Sequence, residues 1–474
     1  MRNIIPRCLL AVLLFAGFLV GGTTAHASPP AGPAGADEDI LARLTAIPGM
    51  KVLAERPTEP GFRYFLLSYV QPADHRQPWR GTFEQRLTLL HKATDRPMVL
   101  HTSGYNLNDA PTFRAEPTQL VDGNQISVEQ RFFTPSRPQP ADWSRLDIWQ
   151  AATDHHRLVG ALKPVYSTKW ISTGGSKGGM ASVYHSRFYP GDVDGVVAYV
   201  APNDVENEAD TAYDRFFQTV GTDPVCRQKL QGLAAESLKR RADMVARLEA
   251  AAREQGLTFT TLRTADRAYE NSILDLEWAF WQFFQQADCA SVPDPATVTT
   301  DELYEFVDAV SGLSFYSDQG LAPFVPYYFQ AGTQLGWPSP KFKHLQGLEN
   351  YPGIYQPRSY VPADISMRFD PQVMADVDRW VRTEGNRLMF LYGENDPWGA
   401  EPFRLGRGTR DSYWYNVTGL NHSARLIVRL PAAQRAEATA ALLRWTGQLA
   451  QPAPMVFNSR LDTYDELQAR RQPL

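Results

Sequence analysis

Three side chains of this 474-residue sequence combine into one piece of chemistry. Ser176 stands in Gly174-Gly175-Ser176-Lys177-Gly178, a Gly-x-Ser-x-Gly pattern. Asp396 follows Gly393-Glu394-Asn395, and His422 closes Gly419-Leu420-Asn421-His422. A serine hydroxyl is a weak nucleophile until a base takes its proton. An imidazole does this well when a carboxylate fixes its tautomer and stabilises its charged form. The chain order Ser, Asp, His is one in which such triads occur. The expected reaction is therefore acyl transfer. Ser176 attacks an acyl carbon, His422 moves the proton to the leaving group, and Asp396 orients the ring. Glu394 is the second candidate for the acid. The amide of Lys177 comes directly after the nucleophile and can face a developing oxyanion. Gly104 and Tyr105, at the end of an earlier strand, are positional candidates for the second donor. A phosphate-binding loop is the competing reading of the glycines, but neither Gly-x-x-x-x-Gly-Lys-[Ser/Thr] nor Gly-x-Gly-x-x-Gly is present.

These residues need a frame. An apolar stretch ending at Thr173 suits a buried strand, and residues 180–189 read as a helix up to Pro190. The turn between them is so sharp that the serine must take a strained conformation with glycine on both sides. Strands are expected at 62–70, 82–91, 97–102, 126–133, 194–201, 387–392 and 412–417, and helices at 143–162 and 431–448. That alternation predicts an α/β fold with a largely parallel sheet. After residue 204 the texture changes to long helical segments at 227–255 and 271–286. A capping box, Thr299-x-x-Glu302, and a proline- and aromatic-rich stretch follow. The expected architecture is an α/β-hydrolase fold with a large, mainly helical cap inserted between sheet strands. The first part of the hydrolase domain is placed at 40–204, the cap at 205–373 and the second part at 374–474.

The net charge of -5 and the pI near 6.0 come without any basic run, which argues against a nucleic-acid partner. Arg2 and Arg7 precede an apolar run at 9–20, and Ala25-His26-Ala27 offers a cleavage site. Residues 1–27 therefore read as a signal peptide, and 28–39 as a disordered lead or propeptide. The expected product is secreted and extracellular, with no membrane attachment once the signal is removed. Cys226 and Cys289 then remain, and outside the cytoplasm a lone pair reads as a disulfide. His155-His156 lacks metal-ligand spacing and there is no His-Glu-x-x-His, so no metal and no cofactor are expected.

Residues 174–190, Gly-Gly-Ser-Lys-Gly-Gly-Met-Ala-Ser-Val-Tyr-His-Ser-Arg-Phe-Tyr-Pro, carry a family resemblance. So do 197–204, Val-Ala-Tyr-Val-Ala-Pro-Asn-Asp, and 128–133, Val-Glu-Gln-Arg-Phe-Phe. They resemble the bacterial secreted prolyl tri/tetrapeptidyl aminopeptidases and, more distantly, the lysosomal Pro-X carboxypeptidase group. The resemblance implies release of short N-terminal peptides after proline by a cofactor-free serine mechanism, with Ser176, Asp396 and His422 as the triad. Its substrates would be peptides with a free N-terminus and proline at the scissile position. An enzyme that measures from the N-terminus must hold a desolvated ammonium, which requires an acidic partner. Glu129, Glu206 and Glu208 are the candidates, and Trp278 or Trp281 is expected beneath the proline ring. A secreted carboxylesterase or lipase is the alternative enzyme, and a non-catalytic binder on a hydrolase scaffold is the alternative class.

Overall fold

The structure is a computed structural model that describes residues 39–205, 210–423 and 426–448. The expected signal peptide and most of the lead, together with Glu206 and Glu208, lie outside the described residues. From Leu41 onward the chain forms one compact unit.

A nine-stranded sheet organises it, in the order β1-β2-β3-β5-β4-β6-β7-β8-β9. The strands are β1 (Met50–Arg56), β2 (Arg63–Pro72), β3 (Thr82–His91), β4 (Met98–Thr102) and β5 (Asn124–Val128). Next come β6 (Trp170–Gly175), β7 (Gly195–Tyr199), β8 (Leu388–Gly393) and β9 (Tyr413–Val417). The β1–β2, β2–β3 and β3–β5 pairs run antiparallel, and from β5 to β9 the sheet is parallel. Parallel strands are covered on both faces and so read as unbroken apolar runs. Gly-Val-Val-Ala-Tyr in β7 and Leu-Met-Phe-Leu-Tyr-Gly in β8 are buried throughout. Successive side chains serve opposite layers. Val196, Ala198 and Phe390 pack with Ile148, Met180 and Val377 on one face. Val197, Met389 and Leu391 pack with Leu442 and Trp445 on the other.

The chain places β5 on one side of β4 and β6 on the other. The loops leaving β4 and β6 therefore diverge, and a crevice opens at the carboxyl ends of these strands. Everything expected of Ser176 and of Gly104-Tyr105 falls on these two loops.

Several boundaries differ from the sequence reading. The strand expected at 126–133 stops at Val128. Beyond it the Arg131 guanidinium turns inward, and the Gln130 amide pairs with the Tyr105 carbonyl at 3.0 Å. The elbow helix begins at Lys177 rather than at 180. The segment 227–255 is two helices, Pro224–Lys239 and Arg241–Gln255. Between β7 and β8 lies a helical insert with its own core, which also packs against Tyr105, Phe133 and Trp398 above the crevice. The Cys226–Cys289 disulfide is present in it. The Thr299/Glu302 capping box forms as expected. No helix among the described residues is long and apolar enough to cross a membrane.

Candidate active site

Ser176 sits between β6 and the helix Lys177–Phe188, with φ 54° and ψ -128°. That left-handed geometry is costly for a residue with a β-carbon and persists only where its surroundings fix it. Its amide is held by the Tyr199 carbonyl at 2.9 Å. A β-carbon on Gly178 would meet the Thr102 carbonyl oxygen at 2.3 Å, and one on Gly104 would meet the Gly178 amide nitrogen at 2.4 Å. The two crevice loops therefore touch backbone to backbone, and this closeness is the physical reason for the glycines. Lys177 is the first residue of its helix, so no intrahelical acceptor exists for its N–H. That donor and the helix dipole favour negative charge beside the serine.

Asp396 follows β8 and is buried. Its Oδ2 lies 2.8 Å from Nδ1 of His422, in the loop after β9, and its Oδ1 accepts the Trp398 amide at 3.0 Å. A carboxylate on Nδ1 leaves Nε2 as the nitrogen that can take a proton. The helical insert steadies the histidine loop. The His422 amide donates to the Gln282 carbonyl at 3.4 Å, and Asn421 Nδ2 donates to the Phe284 carbonyl at 3.1 Å. Glu394, the second candidate acid, is exposed and accepts the Gly419 amide at 2.9 Å. It braces the same loop instead of touching the imidazole.

The Tyr105 amide points to the Ser103 hydroxyl at 3.3 Å. It is the Tyr105 phenol that hydrogen-bonds the Ser176 side chain. Burial pushes that phenol well up from its ordinary range, so it remains a protonated donor. Gly104 contributes its carbonyl, which accepts from Lys177 Nζ. The Lys177 side chain is fully buried, with Nζ 5.5 Å from the Tyr105 ring centre and 5.3 Å from that of Phe133. Burial pushes its ammonium well below the usual lysine range. One residue thus offers a backbone donor to the site and a side chain that ties down the neighbouring loop.

A cavity opens at Ser176, with Lys177, Asp204, Tyr327, Pro338 and Trp398 among its walls. Three substrate-binding expectations need correction. Trp278 and Trp281 are not in these walls. Both are buried in the insert's core, and Trp278 meets Trp398 edge-on at 4.8 Å. Large, fully desolvated rings stabilise best inside a core, and the tryptophan facing the cavity is Trp398. Glu129 is not free to hold an amine. Its carboxylate receives Arg86 Nη2 at 2.6 Å, the Ser136 hydroxyl at 2.6 Å and the Leu107 amide at 3.0 Å. It clamps three segments of the fold.

Sequence reasoning passed over Asp204. It follows β7 in Pro202-Asn203-Asp204, and position at the carboxyl end of a sheet strand was the available signal. Among the described residues neither of its carboxylate oxygens finds a well-formed hydrogen bond, although the Trp337 amide approaches. Burial, then the negative neighbours Asp210 and Glu401, push it up to about 8. Among the described residues no cluster of histidine, cysteine and carboxylate side chains is arranged to hold a metal ion.

Sheet order, elbow and the two late loops make this an α/β-hydrolase. Within that class, the profile of the PS-10 peptidase S37 family matches residues 33–468. The chain belongs to this family and is a serine peptidase. It is 56% identical over 449 residues to a prolyl tri/tetrapeptidyl aminopeptidase of Streptomyces mobaraensis, across 94% of this chain and 92% of the relative. Among solved structures it is similar to a proline iminopeptidase of Mycobacterium smegmatis, with 13% identity, TM-score 0.38, and 80% and 98% of the two chains covered. A carboxyl esterase of Tuber melanosporum gives 14% identity, TM-score 0.35, and 83% and 88% coverage.

Proposed function

We propose that this chain is a secreted serine exopeptidase that releases N-terminal tri- or tetrapeptides after proline, through an acyl-enzyme. The observation that carries the reading is the 56% identity, over nearly the whole chain, to a relative named for that activity. In this reading Ser176 Oγ attacks the carbonyl carbon of the scissile proline while Nε2 of His422 takes its proton. Asp396 stabilises the resulting imidazolium. The tetrahedral oxyanion is met by the Lys177 N–H and the Tyr105 phenol, and each such donor contributes about 10²–10³ in rate. The intermediate collapses, and the new amine leaves with the proton from His422. Water, deprotonated by the same imidazole, then releases the peptide and restores Ser176. The insert acts as a cap that limits how much chain can precede the scissile bond, and Trp398 and Tyr327 offer the apolar surface for a proline ring. Export is supported by the N-terminal charge and apolar pattern and by the Cys226–Cys289 bond, which suits an oxidising compartment.

The test is mass spectrometry of products from an unlabelled peptide with proline at its third and fourth positions. Release of the N-terminal tri- or tetrapeptide is expected. Internal cleavage, or hydrolysis of short acyl esters alone, would remove the exopeptidase reading.

A further inference from the structure

An exopeptidase that counts from the substrate's amino end must recognise an ammonium group near its nucleophile. Among the described residues that line the cavity at Ser176, one side chain is suited to that task. Asp204 is 3% exposed, lines the cavity together with Ser176, and among the described residues its two carboxylate oxygens find no well-formed hydrogen bond. A buried polar atom without a partner is costly, so folds seldom keep one without use. Gly336 closes over this carboxyl so tightly that a β-carbon there would lie 2.5 Å from the Asp204 carbonyl oxygen and 3.0 Å from its Cβ. The carboxyl is thus held in place without being neutralised.

We infer that Asp204 is the anchor for the free α-ammonium of the peptide substrate, an inference that rests on the exopeptidase reading above. The groups acting on Asp204 are two further acids, Asp210 and Glu401, and the Trp337 amide, and no cation is among them. The Tyr213 phenol is buried in the same field and stays protonated. In the unliganded enzyme near neutral pH the carboxyl therefore holds a proton, since its pKa is pushed up to about 8. Entry of a substrate ammonium supplies the missing counter-charge. The carboxyl O–H bond then breaks, its proton passes to solvent, and the carboxylate pairs with the ammonium. An N-acetylated peptide brings no cation and displaces no proton. This makes the free amino end a condition of tight binding instead of a tolerated feature. It also places the acid on the wall of the same cavity as the nucleophile, consistent with a short released peptide.

The experiment compares a proline-terminated tripeptide amide with its N-acetyl form, on the full-length mature enzyme and on Asp204→Asn. Wild type should prefer the free amine. In Asp204→Asn the ratio of kcat/KM for free over acetylated substrate should fall by about 30-fold or more, carried mainly by KM. If wild type cleaves both forms equally, the exopeptidase reading itself fails. If wild type discriminates and Asp204→Asn discriminates just as well, that reading stands and Asp204 is not the anchor. Calorimetry with the product tripeptide in two buffers of different ionisation enthalpy gives a second test that needs no variant. Near pH 7, wild type should release most of one proton on binding the free-amine product and none on binding its acetylated form. Equal proton release for the two overturns the assignment.

Discussion

Asp154 and Asp204 are both buried carboxyls of this fold, and they have opposite fates. Asp154 lies in the helix Ile148–Leu162, on its buried side. It receives Arg131 Nε at 2.7 Å and Nη2 at 2.9 Å, and lies 2.7 Å from Nε2 of His75. Burial alone pushes it up, but the guanidinium and the imidazole outweigh burial and hold it below the usual carboxylate range. The remaining Arg131 donors reach the carbonyls of Pro72, Ala73 and Arg145. Asp204, on the wall of the cavity at Ser176, has comparable burial and no cation acting on it among the described residues, and it moves the other way. The first region spends its charges on the fold and leaves nothing for a ligand. The second leaves a carboxyl without a counter-charge on the wall of the cavity at Ser176. Glu129 belongs with Asp154 in this contrast, which is why it makes a poor amine anchor despite its place in a motif that resembles the family's.

If the contrast is right, changes in the crevice cost activity and changes in the clamp cost stability. The largest effect should come from Ser176→Ala. Turnover should drop to the ~10³–10⁴-fold over water that oxyanion donors and binding alone supply, while the melting temperature stays within a degree or so of wild type. Retained hydrolysis at the wild-type rate would remove Ser176 as the nucleophile.

Arg131→Met tests the other region. It leaves the buried Asp154 carboxylate with the His75 imidazole alone, a loss of about 3–5 kcal/mol. Denaturant unfolding should show the deficit, and kcat of the protein that remains folded should change little. A variant as stable as wild type would mean that the clamp is not holding the fold. Reducing the Cys226–Cys289 bond, or replacing both cysteines with serine, probes the insert in the same way. The bond closes a separation of 63 residues, for which loop-closure entropy gives about 4 kcal/mol as an upper figure. Because the Gln282 and Phe284 carbonyls steady the histidine loop, loosening the insert should also lower kcat. Unchanged kcat with a lowered melting temperature would show that the insert's core carries no part of the site.

The strands and the elbow were legible because apolar runs and the glycine pattern are local signals. β3 begins and ends at the expected residues, and the parallel strands other than β5 need only small adjustments at their ends. β1 was missed because no position after Met50 is buried, so neither an apolar run nor a clear alternation marks it. The proposed nucleophile, acid and base lie on loops that a known strand order places together, so chain order located them. The cavity wall was not legible. Whether Trp278 or Trp398 faces the substrate depends on how an irregular insert packs, and no periodicity encodes that. Glu129 and Asp204 are each one acid after a β-branched strand or its exit. Only the arrival of Arg86 and Ser136 at one, and of no cation at the other, separates them.

The smallest expected effect is also the sharpest, because its sign distinguishes the two carboxyls. A carboxyl whose pKa is higher folded than unfolded binds more protons in the folded state, so its contribution to stability falls as pH rises between the two values. For Asp204 that window runs from the model-compound 3.8 to about 8. Above it, the folded protein must carry an ionised, unpaired carboxylate. Asp204→Asn removes that burden but leaves an amide of the same shape. The variant should therefore match wild type at or below about pH 4 and gain on it steadily toward pH 8, by on the order of 1 kcal/mol once the site relaxes around water. Asp275 and Asp210, raised to about 7 and about 6, keep some of the same slope in both proteins, so the difference between the two curves is what matters. At Asp154 the corresponding Asp→Asn change should lose stability at every pH above the ordinary carboxylate range. If Asp204→Asn also loses stability at pH 8, a cation does reach Asp204 in the free enzyme. The two carboxyls would then play the same structural part, and the crevice would hold no charge in reserve for the substrate.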